Sequence, residues 1–159
     1  MIVTMVQNSG RWLYLILRPL IALFAPRTPR VRVEIRQGNQ VLLVKSWFGD
    51  QRWALPGGGV ERGEAPSRAA IREVFEETGL TIDRKRLGYL TTLPARYPLR
   101  CDLVIYATAT HDTQLRRLKM IYRLEIIDRK WYDIDNLPDD TGPLTRAIIS
   151  REYEQFAQE

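Results

Sequence analysis

The chain has one cysteine, Cys101, among its 159 residues. No intrachain disulfide can form, which fits a reducing compartment. Cys101 reads as a small buried side chain rather than a nucleophile. The one histidine, His111, lies in a polar stretch and offers no catalytic setting. Internal repeats, low-complexity tracts and long linkers are also missing, so the length suits one domain with a real core. A general excess of positive charge is missing too. Residues 1–36 hold six arginines against one glutamate, and the remainder balances 18 basic against 18 acidic residues. The net charge of +5 therefore belongs to the N-terminal arm and first strand. The high pI thus describes these residues rather than a basic binding face on the domain, which weakens a general nucleic-acid reading.

No apolar run is long enough to span a bilayer. The longest, Trp12–Ala25, is interrupted by Arg18 and Pro19. As a helix it would reach about 21 Å, against about 30 Å of hydrocarbon. A signal-peptide core is a poor fit, because Arg18 lies inside it and Ala25-Pro26 is a weak cleavage site. Two readings of residues 1–28 stay open. The arm packs on its own domain or in a dimer, or it lies on an anionic membrane with Arg11, Arg18, Arg27 and Arg30 toward lipid. The expected location is cytoplasmic, with the inner face of a membrane as a peripheral contact. Residues 29–159 form the domain proper.

In that domain Arg30–Arg36 alternates, with Val31, Val33 and Ile35 opposite Arg32, Glu34 and Arg36, which predicts a half-buried strand. Gly38-Asn39 is a two-residue hairpin signal, and Val41–Val44 is a buried strand. Leu87–Leu93 and Cys101–Thr110 read as strands, and His111–Lys119 as a polar, basic connection. Leu124–Ile127 and Lys130–Tyr132 are short strand candidates. Leu137-Pro138 opens a loop, and Leu144–Phe156 is a closing amphipathic helix.

The stretch Gly58–Leu80 carries the chemistry. Glu73, Glu76 and Glu77 stand at i, i+3 and i+4, so they share one helical face. Ile71, Val74, Phe75 and Thr78 fall on nearly the opposite side and can pack into a core. Three like charges this close repel unless a counter-ion joins them, and hard oxygen donors favour Mg²⁺ or Mn²⁺. Pro66 suits the first helical position and Gly79 the position past the last turn. Arg72 can pair with Glu76 one turn on. Ahead of the helix, Gly57-Gly58-Gly59 lets backbone approach a metal or phosphate closely.

This stretch resembles the Nudix box, Gly-x5-Glu-x7-Arg-Glu-U-x-Glu-Glu-x-Gly-U, where U is a bulky aliphatic residue. Gly58, Glu64, Arg72, Glu73, Val74, Glu76, Glu77, Gly79 and Leu80 fill every fixed position. At roughly 1 in 20 for each single-residue requirement, a chance match is on the order of 10⁻⁹ per start position. A solvated, Glu-rich surface helix would need neither the glycines nor Glu64. The resemblance implies an α/β/α sandwich with a mixed central sheet. It also implies a hydrolase that splits a nucleoside diphosphate linked to another moiety, by attack of water on phosphorus.

By the same resemblance, Glu73, Glu76 and Glu77 are metal ligands, with a carbonyl of Gly57 or Gly58 in the shell. Arg72 orients the carboxylates, and Glu64 ties the glycine loop to the helix. Glu73 is the first candidate for general base, with Glu125 or Asp102 as a later carboxylate. For substrate, an aromatic among Trp47, Phe48 and Trp53 stacks on a base, although Trp53, entering a buried strand, reads first as a core aromatic. Arginines among Arg52, Arg62, Arg96 and Arg100 clamp phosphate. Competing readings are decapping of RNA 5′ ends, a nucleotide-sensing module that does not cleave, and a membrane-tethered interaction protein. The intact carboxylates argue against the last two.

Overall fold

The computed structural model describes Leu13, Ile16, Leu17 and residues 28–156, apart from 48, 96–100, 112–114 and 116–125. Strand β1 (Arg30–Gln37) turns at Gly38-Asn39 into β2 (Gln40–Ser46). The two strands pair only at the turn, through Arg36↔Val41 and Gln37↔Gln40. Beyond that they part, and a glycine-bearing segment enters between them. Its first piece, β3 (Trp53–Ala54), pairs antiparallel with β2. Its second piece bonds to β1, with Val33 N–H donating to the Pro56 carbonyl and Val31 N–H to the Gly58 carbonyl, both at 2.9 Å.

Helix α1 (Pro66–Thr78) follows, then β4 (Gly88–Ala95), β5 (Cys101–Ala109), β6 (Ile126–Asp133) and helix α2 (Pro143–Ser150). The sheet runs β3-β2-β1-β5-β4, with β6 also on β2. Among the strands described, only β1 and β5 pair with each other in parallel, from Arg30↔Leu103 to Arg36↔Ala109, so the sheet is mixed. Both faces are covered. Val31, Val33, Ile35 and Leu42 pack with Ala69, Ala70 and Val74 of α1. Val41, Leu43, Leu55 and Ile105 pack with Ile148 and Ile149 of α2. Burial on both faces explains why Val41–Val44 is continuously apolar rather than alternating. Each such aliphatic side chain contributes about 1.5–3 kcal/mol. The expected α/β/α sandwich with a mixed central sheet is what the chain forms.

Helix α1 begins with Pro66 and is capped by Gly79, whose φ of 76° is left-handed and whose N–H donates to the Phe75 carbonyl at 2.9 Å. Arg129 of β6 donates to the Thr78 carbonyl, placing a cation at the helix C-terminus.

Four expectations need correction. Glu34 is fully buried, not on a solvated side, because Arg36 (2.5 Å) and Arg151 (2.7 Å) both pair with it. Phe75 stays 44% exposed, and Ala69 and Ala70 take its place in the core. The closing helix stops at Ser150, because Arg151 adopts a left-handed φ of 67° beside Glu34; Tyr153–Phe156 is a separate 3₁₀ turn. The two short strand candidates are one strand from Ile126, continuous because it pairs along all of β2. The expectations for Leu124, Glu125 and most of residues 1–28 and 111–119 fall outside the described residues.

The wedge generates a stability prediction. A Cβ on Gly57 would stand 2.2 Å from the Val31 carbonyl oxygen, at a φ of 140°. Gly57→Ala should lose about 3 kcal/mol or more, combining overpacking with backbone strain. Gly59, whose Cβ would meet nothing within 4 Å, is the control. Urea unfolding of both variants checks this, with Gly59→Ala expected near wild type.

Candidate active site

The wedge and helix α1 meet along one line. Gly57 N–H donates to Glu77 Oε2 at 2.7 Å. A Cβ on Gly58 would overlap the Glu73 carboxylate at 2.5 Å, so the glycine leaves a hollow that this side chain fills. The carboxylate face of α1 is thereby laid against backbone that carries no side chains.

Arg72 fixes the arrangement. Its Nε and Nη2 grip Glu64 at 3.0 and 2.9 Å, a bidentate fork, and Nη2 also reaches the Gly59 carbonyl at 2.9 Å. Its Nη1 donates to Glu73 Oε1 at 2.9 Å and to Glu76 Oε2 at 3.4 Å. The anticipated Arg72–Glu76 pair is therefore the longest of these contacts, and Glu64 is the main partner. Glu64 in turn accepts from Glu61 N–H at 3.0 Å, closing the loop before the helix. The fork pulls the Glu64 carboxyl below its ordinary range, and Glu64 in turn raises Arg72. Burial pushes Glu73 the other way, upward, and Arg72 offsets part of that.

In front of these groups lies a cleft of about 570 Å³. Glu73, Glu77 and the three glycines line one part of it, and Arg30, Arg32, Ser46, Trp47 and Ile126 line the rest. Arg32 donates to the Gly57 carbonyl. Desolvation lowers the Arg32 pKa, Arg30 beside it lowers it further, and Glu77 and Glu73 pull it back up.

Of the residues singled out from sequence, Glu73, Glu77, Gly57, Gly58 and Trp47 come together in the cleft. Glu76 stands beside Arg72 rather than in the cleft lining. Trp53 is corrected: it is 7% exposed and sits in the α2-side core, edge-on to Tyr132 at 4.9 Å, so it cannot stack on a ligand. Arg52 is exposed and 3.7 Å from Asp50, and Arg62 is exposed in a turn; neither lines the cleft. Asp102 is exposed on β5. Cys101 is buried, and burial raises its pKa, as expected of a packing residue. Glu125, Arg96, Arg100 and Phe48 lie outside the described residues. Sequence reasoning missed Arg30, Arg32, Ser46 and Ile126. The signal for the first two was present, since they form the polar side of β1.

Among the described residues, no three acidic, histidine or cysteine side chains converge on a point that could hold an ion unaided. The donors still fit a divalent ion of the magnesium class. Such ions keep several waters and take one or two carboxylates plus substrate phosphates. Glu73 and Glu77 provide two hard carboxylates one turn apart, beside the hollow at Gly58 that leaves room for them.

A NUDIX domain model matches residues 26–153. The chain belongs to the Nudix family. It is 31% identical over 134 residues to NAD-capped RNA hydrolase NudC of Vibrio cholerae, covering 82% of this chain and 47% of that protein. It is 42% identical over 72 residues to an RNA pyrophosphohydrolase of Actinobacillus succinogenes, covering 45% and 36%. The chain thus spans about half or less of the length of these curated relatives. Its fold matches a MutT NUDIX hydrolase from Burkholderia pseudomallei with a TM-score of 0.68 at 22% identity, covering 77% of this chain and 95% of that one. It also matches a bifunctional NMN adenylyltransferase/ADP ribose pyrophosphatase from Francisella tularensis, complexed with AMP and a Mn ion. The TM-score there is 0.63 at 23% identity, covering 94% and 47%. No helix among the described residues is long and apolar enough to cross a membrane.

The clamp sets a pH prediction. A carboxyl held below its ordinary value adds stability that is present above that value and disappears as pH falls through the folded one. Wild type should therefore lose the Glu64 contribution below the ordinary glutamate value of 4.5. Glu64→Gln should lose about 1–3 kcal/mol at neutral pH and show a flatter acid limb. Urea unfolding from pH 7 down to pH 3 measures both.

Proposed function

We propose that the cleft hydrolyses a phosphoric anhydride bond in a nucleoside diphosphate linked to another moiety, by attack of water on phosphorus. The observation that carries this is the pair Glu73 and Glu77 seated against Gly57 and Gly58 in an open cleft that also holds Arg30 and Arg32. Glu73 and Glu77 hold Mg²⁺ or Mn²⁺, with Glu76 beside them on the acidic face. The ion supplies charge neutralisation at phosphate and a lowered pKa for bound water. Arg72 keeps Glu73 in place through Oε1, and Glu73 is the first candidate for the base that takes the proton of the attacking water, with a later carboxylate as the alternative. Glu125 remains a proposed later carboxylate, and its chain neighbour Ile126 lines the cleft. Trp47 offers a ring for a base to stack on.

A second reading has a specific observation behind it. Relatives in Vibrio cholerae and Actinobacillus succinogenes are named for hydrolysis of NAD-capped RNA and of RNA pyrophosphate ends. An RNA 5′ end carries the same anhydride chemistry, so this substrate class stands beside the small-molecule one, although residues 37–159 carry no net positive charge. A cytoplasmic location and an accessory arm, residues 1–28, that localises or dimerises the domain complete the proposal.

The test is a panel of ADP-ribose, nucleotide sugars, nucleoside triphosphates, dinucleoside polyphosphates and 5′-capped RNA, run with Mg²⁺ and with Mn²⁺ in ¹⁸O-water. We expect a nucleoside monophosphate plus a phosphorylated remainder, with label in one product. A covalent phosphoenzyme would overturn the mechanism. Glu77→Gln should lower turnover about 10²–10⁴-fold while leaving the fold intact, since relieved repulsion offsets a weaker bond to the Gly57 N–H. Unchanged turnover at saturating Mg²⁺ would sink the assignment. Deleting residues 1–28 should leave turnover per active site unchanged; its loss in a folded, metal-binding protein would place the arm in the catalytic apparatus.

A further inference from the structure

Arg32 stands where two demands meet. It lines the same cleft as Glu73 and Glu77, and its side-chain hydrogen bond goes to the carbonyl of Gly57. Arg36, Arg52, Arg72 and Arg151 each lie within 4.0 Å of a carboxylate oxygen. Among the described residues, no carboxylate comes that close to Arg32 or to Arg30. Two guanidinium groups two residues apart on one strand repel, and nothing in the described structure neutralises them at contact distance.

We propose that Arg32 is an exchangeable cation: it holds the Gly57 carbonyl until a divalent ion takes that oxygen, and then binds a phosphate of the substrate together with Arg30. This rests on the hydrolase reading of the cleft and adds a role that the box itself does not carry. A guanidinium has five N–H donors, and one carbonyl leaves most of them for an anion. A dication on the same oxygen would stand a few ångström from the guanidinium. At an effective dielectric constant of about 20, repulsion at that range disfavours keeping both, even with Glu77 and Glu73 offsetting part of it. The backbone of Arg32 is held in the sheet opposite Ile105, so the exchange falls to the side chain. Once it leaves Gly57, Arg32 and Arg30 offer a two-armed phosphate site across the cleft from the carboxylates.

The test uses the full chain and two probes, free Mn²⁺ followed by electron paramagnetic resonance, and ADP followed by calorimetry in saturating Mn²⁺. Arg32→Met keeps the length and removes the charge. It should bind Mn²⁺ about tenfold more tightly without nucleotide, since a competing cation is gone. It should bind ADP about tenfold more weakly or worse, since a charge-assisted fork is lost. Arg32→Lys keeps the charge, so its Mn²⁺ affinity should stay within about twofold of wild type while ADP weakens. Arg32→Met with Mn²⁺ affinity unchanged or weaker overturns the exchange. If that variant fails to fold, Arg32→Lys decides, and unchanged ADP affinity overturns the phosphate role. Glu77→Gln separates the two readings. If it binds Mn²⁺ as wild type does, the ion site is misplaced and this inference falls with it. If it weakens Mn²⁺ while Arg32→Met does not tighten it, only the exchange falls.

Discussion

Between the Cα of Gly57 and the carbonyl oxygen of Val31 there is no room for another carbon atom. Much of the site's geometry follows from that contact. Because the glycine segment enters so close to β1, the first hairpin opens beyond its turn and the segment takes both hydrogen-bonding edges. The Gly57 and Gly58 carbonyls and the Gly57 N–H are thereby set at the end of β1, beside Arg30 and Arg32. A cleft forms where an ordinary hairpin would have closed.

The second requirement is electrostatic. Three glutamates on one helical face, with a fourth eight residues before Arg72, would push each other apart in a low-dielectric setting. Arg72 touches three of them and a glycine carbonyl at once. A lysine has no planar fork to do this, so the type of cation matters as well as its charge. The clamp also divides the labour among the carboxylates. Glu64 is held ionised and out of the cleft, whereas Glu73 is half in reach of Arg72 and half desolvated.

Local rules made the hairpin at Gly38-Asn39, the limits of α1 and the buried run at β2 legible, because each depends on neighbours in sequence. The acidic face, its glycine loop and Glu64 were legible through spacing and the family resemblance. What escaped depended on distant contacts. Glu34 looked solvated in an alternating strand, and its burial follows from Arg151, 117 positions later. Trp53 looked available beside the glycines, but the inserted segment turns it to the α2 side of the sheet. Arg52 and Arg62 lie near the glycines in sequence and away from the cleft in space. Arg30 and Arg32 are distant in sequence and line it, because sheet pairing carries β1 to the glycine loop.

The buried Glu34 also constrains how the domain assembles. Its charge is hydrated in the unfolded chain, and dehydrating it is tolerable only once both Arg36 and Arg151 are in place. β1 likewise lacks its parallel neighbour until β5 exists, about 70 positions downstream. Among the described strands, β1 therefore has partners late in the chain, and the sheet is not completed by neighbours in sequence. The turn after α2, where Arg151 reaches Glu34, is thus a latch on the first strand.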